Sequence, residues 1–321
     1  MKNGIKAKIA VFIFIITVLT AAGGCSDVAG RTRIHTEPET VLWRERETEN
    51  QMQEEQTVET KIDGVNGKAA AALVYSVGTG ETLFSLNADE KRAPASLTKL
   101  LTALTALNCC PADRVFTVGD EITLIAEGSS LSLINRGQQI TLRDLVYAML
   151  LRSGNDAAYT VAANTGRIIN PEAQNTSEAI DAFVKRMNSV AASLGMSGSH
   201  FTNPDGWDDG NQYVTAADLL TLAKAARENV LMKTAFSTAE YDATFVSGES
   251  ITWKNTNYFL HAGLEYYRGD CVGIKTGTTD NAGYCLISEM TGGDGLIIIV
   301  LGCENNLSRY DVTNILSEYF S

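Results

Sequence analysis

The sequence predicts an α+β domain. One mainly antiparallel sheet is assembled from both ends of the folded part, flanked by helices, with a helical subdomain inserted between the two sets of strands. Three observations predict it. Strand-like runs appear near residues 68–89 and again after residue 270. The stretch between them carries apolar residues at helical spacing. No internal repeat competes with that order.

The elements follow in chain order. Lys2, Lys6 and Lys8 precede "IAVFIFIITVLTAA", an apolar run too short for a comfortable membrane span, and then "TAAGGC". Residues 1–25 are therefore read as a targeting segment and not as fold. Small residues directly before Cys25 resemble a bacterial lipobox, in which the cysteine is lipidated, although Ala22 stands where a larger aliphatic residue is usual. Secretory cleavage near Ala22 and an uncleaved anchor are the alternatives. Lipidation is preferred because the cysteine ends the apolar run, and all three readings place the rest of the chain outside the cytoplasm. Residues 26–60 are rich in Glu, Thr, Arg and Gln and poor in aliphatics, so they form a tether, with room for a short solvated helix around Trp43. The folded domain is expected over 61–321.

Within it, "KAAAALVYSV", "GTG" and "ETLFSLNAD" read as strand, turn and returning strand. A helix begins near Ala95. Residues 111–140 suggest short strands and loops. "TLRDLVYAMLLRS" places Leu142, Leu145, Val146, Met149 and Leu150 on one helical face. "SGND" interrupts it, and helix resumes in "DAAYTVAAN". "SEAIDAFVKRMNSVAASLG" reads as a helix with a serine cap and a terminal glycine, and "TAADLLTLAKAARE" as one with a threonine cap. "CVGIKTG", "GYCLISEM" and "GLIIIVLGC" read as three strands, and "LSRYDVTNILSEYF" as the closing helix.

Composition removes several function classes. The chain has 321 residues, 45% of them hydrophobic, which suffices for a real core, and a net charge of −12. That acidity argues against nucleic acid as a partner. GxxxxGK[ST], GxGxxG and HExxH are absent, and no CxxC or Cys/His cluster occurs, so neither a phosphate cofactor nor a metal is expected. Of the three histidines, His35 falls in the tether, and neither His200 nor His261 sits in a recognisable triad setting. If Cys25 is lipidated, Cys109, Cys110, Cys271, Cys285 and Cys303 remain, an odd number that leaves at least one thiol free or intermolecular.

Three short motifs carry chemistry. Ser96 and Lys99 stand three apart at the start of an apolar helix, about 5–6 Å between Cβ atoms. A serine hydroxyl needs a base, and a lysine serves only if burial or another cation disfavours its charge. The run "LLTALTAL" provides the burial, and a helix N-terminus offers N–H groups to an oxyanion. In "SGND", Gly154 permits the break, and Asn155 or Asp156 can cap the next helix. A turn there also projects Ser153 and Asn155 toward a shared cleft. In "GIKTGTTDNAG", Lys275 and Thr276 sit at a strand end, and Gly277 leaves room for a ligand backbone. Alone, each has an ordinary structural reading: a cap beside a snorkelling lysine, a helix break, a hairpin turn. SxxK, SxN and KTG in this order form the trio shared by penicillin-binding proteins and class A β-lactamases.

The blocks "GTGETLFSLNADEKRAPASLTKLLTA", "LLRSGNDAA", "HFTNPDGW", "YVTAADL" and "NTNYFL…GIKTGTTDNAGYC" resemble, in order, those of the serine D-alanyl-D-alanine carboxypeptidases. These are the low-molecular-mass penicillin-binding proteins of peptidase family S11. The likeness covers about 68–303. It implies a β-lactamase/transpeptidase-like fold, Ser96 as the acylated nucleophile and Lys99 as its base. It implies further that Ser153 relays a proton to the leaving D-alanine and that Asn155 orients Lys99 and substrate. Lys275 and Thr276 would engage the terminal carboxylate, with Lys275 adding positive field near Lys99. The Ser96 and Thr278 N–H groups would form the oxyanion hole beside Gly277. The implied substrate is a peptidoglycan stem pentapeptide, the implied inhibitors are β-lactams, and the implied location is the outer face of the bacterial cytoplasmic membrane.

The chain departs from the family in places. Trp207 replaces an expected leucine after "NPDG", the Cys109-Cys110 pair is unfamiliar, and the sequence closes soon after its last strand, so an N-terminal lipid or anchor would supply attachment. Two rivals are weighed. A class A β-lactamase needs a glutamate in ExxxN, and neither Glu172 nor Glu178 begins one. A non-catalytic cell-wall or β-lactam-binding lipoprotein has little need of Ser96, Lys99 and Lys275 together.

Overall fold

The structure, a computed structural model, describes residues 64–321, so the expected leader, the Cys25 lipidation site and the tether lie outside the described residues. In chain order the elements begin with β1 (Ala71–Ser76) and β2 (Thr82–Leu86). A 3-10 turn, Ala95–Leu97, leads into α1 (Thr98–Cys109). There follow β3 (Val115–Thr117), β4 (Gln139–Thr141), α2 (Leu142–Leu151), α3 (Asn155–Ile169) and α4 (Thr176–Ser193). Then come α5 (Ala216–Arg227), α6 (Val230–Ser237), β5 (Glu240–Thr244) and β6 (Ser250–Lys254). The chain closes with β7 (Cys271–Thr279), β8 (Gly283–Met290), β9 (Leu296–Cys303) and α7 (Ser308–Phe320).

The main sheet runs β2-β1-β9-β8-β7 and is antiparallel throughout. The first hairpin thus pairs with the last strand, Leu73 opposite Ile299 and Val74 opposite Ile298. The sheet is built from both ends, as the sequence predicts. The unbroken apolar run of β9 has a physical reason: the strand is buried on both faces. Ile297, Ile299 and Leu301 point into the larger core with α1 and α5. Leu296, Ile298 and Val300 point into a second core closed by Tyr310, Val312 and Leu316 of α7. β7 is an edge strand.

α1 is the central helix. Every residue from Thr98 to Ala106 is buried, which explains why its sequence is apolar all round and not on one stripe. Thr215 caps α5 through the Asp218 N–H, as expected. The serine expected to cap α4 does not. Asn175 takes that place, accepting from the Glu178 N–H at 2.9 Å, while Glu178 accepts from the Gln174 N–H at 2.7 Å. Glu178 is therefore occupied at a helix start. The stretch holding α6, β5 and β6 is passed over by the sequence reading. Its strands alternate weakly, with only Ala243 and Trp253 fully inward.

The five described cysteines are unpaired. Burial pushes the Cys271 and Cys285 thiols up to about 11, which suppresses the reactive thiolate. Among the described residues no helix is long and apolar enough to cross a membrane.

Candidate active site

Ser96 lies in the 3-10 turn just ahead of α1, and not on the helix's first turn. Its neighbour Ala95 has φ +47°, a left-handed conformation unusual for alanine. Lys99 follows on α1 and is fully buried. Its Nζ lies 2.8 Å from Ser96 Oγ, 2.7 Å from Asn155 Oδ1 and 2.6 Å from the Asp205 main-chain oxygen. Burial lowers the Lys99 pKa to about 8, against the opposing charges of Asp205 and Asp156. That depression corresponds to about 3 kcal/mol against the charged amine. Burying Leu100, Leu101 and Leu104 stabilises the same helix by about 2 kcal/mol each, so the apolar face outweighs the amine it carries inward.

The geometry decides where the lone pair of a neutral Lys99 points. Asn155 Oδ1 and the Asp205 carbonyl can only accept. A neutral amine has two N–H groups, which those two oxygens occupy, and its lone pair is left facing the Ser96 hydroxyl.

The second motif fills the turn between α2 and α3. Ser153 has φ +61°, a strained value for a residue with a side chain. Neither Asn155 nor Asp156 caps α3. The cap position is Gly154, which makes no side-chain bond, and Asn155 is the first helical residue. This corrects the expectation of a cap. Asn155 instead reaches Lys99, and Asp156 clamps a neighbouring loop. Asp156 Oδ1 accepts from the Ser132 N–H at 2.8 Å and the Ser132 hydroxyl at 2.6 Å, and its Oδ2 accepts from the Ile134 N–H at 3.2 Å.

The third motif lies in the middle of β7 and not at the strand end expected from the sequence, because pairing with β8 runs on through Thr279. Lys275 Nζ donates to Ser153 Oγ at 3.0 Å and to the Thr276 carbonyl at 2.9 Å. The Thr276 hydroxyl is 2.6 Å from that of Thr256. Thr278 is exposed, and its hydroxyl donates to the Gly277 carbonyl at 2.8 Å. Burial drives Lys275 well below its ordinary pKa, and the charges of Lys99 and Arg309 push the same way. The interaction thus weighs against a charge on Lys275 itself. An arriving carboxylate would reverse this balance by supplying a counter-charge.

Gly277 packs closely on the nucleophile's turn. A Cβ there would stand 3.2 Å from Ala95 Cβ and 3.3 Å from Ser96 N, so the absent side chain makes room for the Ser96 turn. The glycine is what lets β7 lie against the nucleophile. The eight residues predicted from the three motifs thus fall in one connected site. Ser96, Lys99 and Asn155 form one cluster, Ser153 and Lys275 another, and Gly277 links the Ser96 turn to Thr276 and Thr278.

Sequence reasoning missed three contributors. Asp205 acts through its main chain, which no residue pattern reveals. The adjacent Gly206 holds the carbonyl in place: it has φ +87°, and a Cβ would fall 1.8 Å from the Ala95 oxygen. Arg309 comes from α7, is buried, and donates to the Gly277 carbonyl at 3.3 Å and the Cys285 carbonyl at 3.2 Å. Thr256 pairs with Thr276 from an irregular segment after β6. Arginine and threonine at such positions carry no local signal.

The profile of the family described as D-alanyl-D-alanine carboxypeptidase, Peptidase_S11, matches residues 54–305. The chain is 32% identical over 268 residues to a D-alanyl-D-alanine carboxypeptidase of Streptomyces sp. (strain K15), covering 79% of this chain and 87% of that one. It is also 32% identical over 268 residues to D-alanyl-D-alanine carboxypeptidase DacC of Escherichia coli (strain K12), covering 80% of this chain and 61% of that relative. Among solved structures, the Streptomyces K15 DD-transpeptidase matches with a TM-score of 0.71 at 30% identity, covering 78% of this chain and 96% of that one.

Proposed function

Because this chain belongs to the D-alanyl-D-alanine carboxypeptidase family, peptidase family S11, we propose that it removes the terminal D-alanine from peptidoglycan stem pentapeptides through an acyl-enzyme on Ser96. The observation that carries the reading is the environment of Lys99. Its amine is buried, its pKa is lowered to about 8, and it touches both the Ser96 hydroxyl and Asn155 from a separate helix.

The reaction follows from those contacts. The lone pair of neutral Lys99 takes the Ser96 proton while Ser96 Oγ attacks the carbonyl carbon of the penultimate D-alanine. The negative charge that develops on the carbonyl oxygen is received by the Ser96 and Thr278 N–H groups, each such donor contributing roughly 3 kcal/mol. Lys275 and Thr276 take the terminal carboxylate, whose arrival favours a proton on Lys275. Ser153 passes its proton to the departing D-alanine nitrogen as the peptide bond breaks and is reprotonated by Lys275. Water then attacks the ester and loses its proton to Ser153 and Lys275, while Lys99 returns its proton to the Ser96 oxygen as the ester bond breaks and the shortened peptide leaves. β7, as an edge strand, offers its free main-chain groups to an extended peptide. Penicillins would enter as carboxylate-bearing acylating inhibitors at the same serine.

A second reading follows from one comparison: the Streptomyces K15 neighbour is named a DD-transpeptidase. Transpeptidation differs only in letting an amine, and not water, resolve the ester. The β-lactamase alternative lacks its ExxxN glutamate, and Glu178 is engaged in capping α4. The chain acts at the outer face of the cytoplasmic membrane in this reading, held by a lipid on Cys25.

The test is a mass spectrum after incubation with penicillin, together with an assay for D-alanine released from a stem pentapeptide. One covalent adduct is expected on the peptide containing Ser96, absent in Ser96→Ala. Binding of penicillin without an adduct, and no release of D-alanine from any stem peptide, would establish the non-catalytic lipoprotein instead.

A further inference from the structure

Asp205 serves the site through its carbonyl; three residues on, a second carboxylate reaches out of the same loop. Asp208 Oδ1 accepts from the Thr279 hydroxyl at 2.6 Å, and its Oδ2 accepts from the Asn281 N–H at 3.0 Å. The Thr279 oxygen accepts in turn from the Ala282 N–H at 3.1 Å. One carboxylate therefore organises the turn between β7 and β8.

Asp208 takes no part in the loop's own wiring. That is done by Asn203, which receives the Gly206 N–H at 2.8 Å, and by Gln212, which receives the Thr202 N–H at 3.0 Å and donates to the Trp207 carbonyl at 3.1 Å. The loop is also fixed to α1. Thr102 donates to the Pro204 carbonyl at 2.6 Å, and Lys99 donates to the Asp205 carbonyl at 2.6 Å. The result is a stiff bracket with one foot on the helix that carries the base and the other on the outer end of β7.

We propose that Asp208 is a positioning residue, holding the Thr278 end of β7 at a fixed distance from the loop carbonyl that aligns Lys99. The proposal rests on the acyl-transfer reading above. The inner part of β7 is secured by the Lys275–Ser153 bond and by Gly277 against the Ser96 turn. Its outer end has β8 as its one strand neighbour and Arg309, which donates to the Gly277 carbonyl and the Thr278 hydroxyl at 3.3 Å each; beyond Thr278 the strand is tied to the loop through Asp208. Base and oxyanion donor thus belong to different layers of the fold, and the bracket ties them together where the sheet alone would let them drift. Misplacement of reacting groups by about 1 Å lowers rates on the order of 100-fold, so a modest drift is enough to register.

The experiment uses the full chain and four variants: Asp208→Asn, Thr279→Val, Thr279→Ser and the double Asp208→Asn/Thr279→Val. It measures kcat and KM on diacetyl-Lys-D-Ala-D-Ala, the acylation rate with penicillin, and Tm. Asp208→Asn and Thr279→Val are expected to lower kcat and acylation by about 10- to 100-fold with KM little changed, as for an interaction felt in the transition state. Thr279→Ser keeps the hydroxyl and should stay near the native rate. The double variant should lose no more than either single one, since both remove the same link. Native kcat in Asp208→Asn, losses that multiply in the double variant, or losses that follow a fall in Tm would each overturn the proposal. A native chain that neither acylates nor releases D-alanine would refute the acyl-transfer reading itself, a separate outcome.

Discussion

Removing the negative charge beside Lys99 should make Ser96 acylate faster in acid. With the Lys99 pKa at about 8, the neutral amine is about 1% of the enzyme at pH 6, about 9% at pH 7 and half at pH 8. Acylation by penicillin should therefore climb about 50-fold from pH 6 to pH 8 and less than about twofold beyond. Asp205 is the larger of the two charges that oppose burial at Lys99. Asp205→Asn removes that charge while keeping the side chain's size and an acceptor for the Trp207 N–H, now 3.1 Å from Asp205 Oδ1. The bond to Lys99 runs through the main chain and survives. The sign follows: burial raises the Asp205 carboxyl above its ordinary range, and wherever it is ionised its charge favours the ammonium form, so losing it lowers the Lys99 pKa and raises the neutral fraction below the midpoint. Every tenfold change in that equilibrium yields about a tenfold faster rate well below the midpoint and no change above it. The assay is the second-order rate of labelling by a fluorescent penicillin between pH 5.5 and 9 at constant ionic strength. A native midpoint near 10, a flat profile, or an Asp205→Asn profile displaced to higher pH would refute Lys99 as the base in this environment.

Three further outcomes are expected. Gly206→Ala should destabilise the domain by about 2–4 kcal/mol, because the new methyl meets the Ala95 oxygen at 1.8 Å with φ at +87°; an unchanged melting temperature would contradict the loop's placement. Asp156→Ala leaves the Ser132 N–H, the Ser132 hydroxyl and the Ile134 N–H without their acceptor, and urea unfolding should report a loss of about 3 kcal/mol, whereas native stability would show the clamp to be dispensable. Cys25→Ala should abolish palmitate labelling and move the protein out of the membrane fraction; labelling that persists would place any lipid elsewhere.

Much of this arrangement is legible in the sequence because the chemistry is local there. SxxK and SxN announce a helix start and a helix break, and those are where the structure places them, whereas KTG announces a strand end and falls inside β7. The run of β9 is legible because burial on both faces leaves no polar position. The caps are less so. "NTSE" offers three good capping residues, and the choice of Asn175 depends on where α4 starts, which packing sets. The β5–β6 hairpin is hidden because it lies at the surface, where polar residues are tolerated on either face. The Asp205 carbonyl and Arg309 are hidden for a deeper reason. A main-chain oxygen belongs to every residue, and a buried arginine is recognisable only once its acceptors are in place. The role of Gly277 shows the same limit: the residue type predicts close approach, and only the fold tells what approaches.

The union of β1 with β9 also governs when the domain can come into being. The opening hairpin has no inner neighbour until nearly the whole chain has been made, and the central helix has no sheet to rest on before then. Such distant pairing slows closure. Under the proposal that the chain is exported, that delay would be useful, since a chain unable to close early can still be threaded through a narrow passage and mature on the far side.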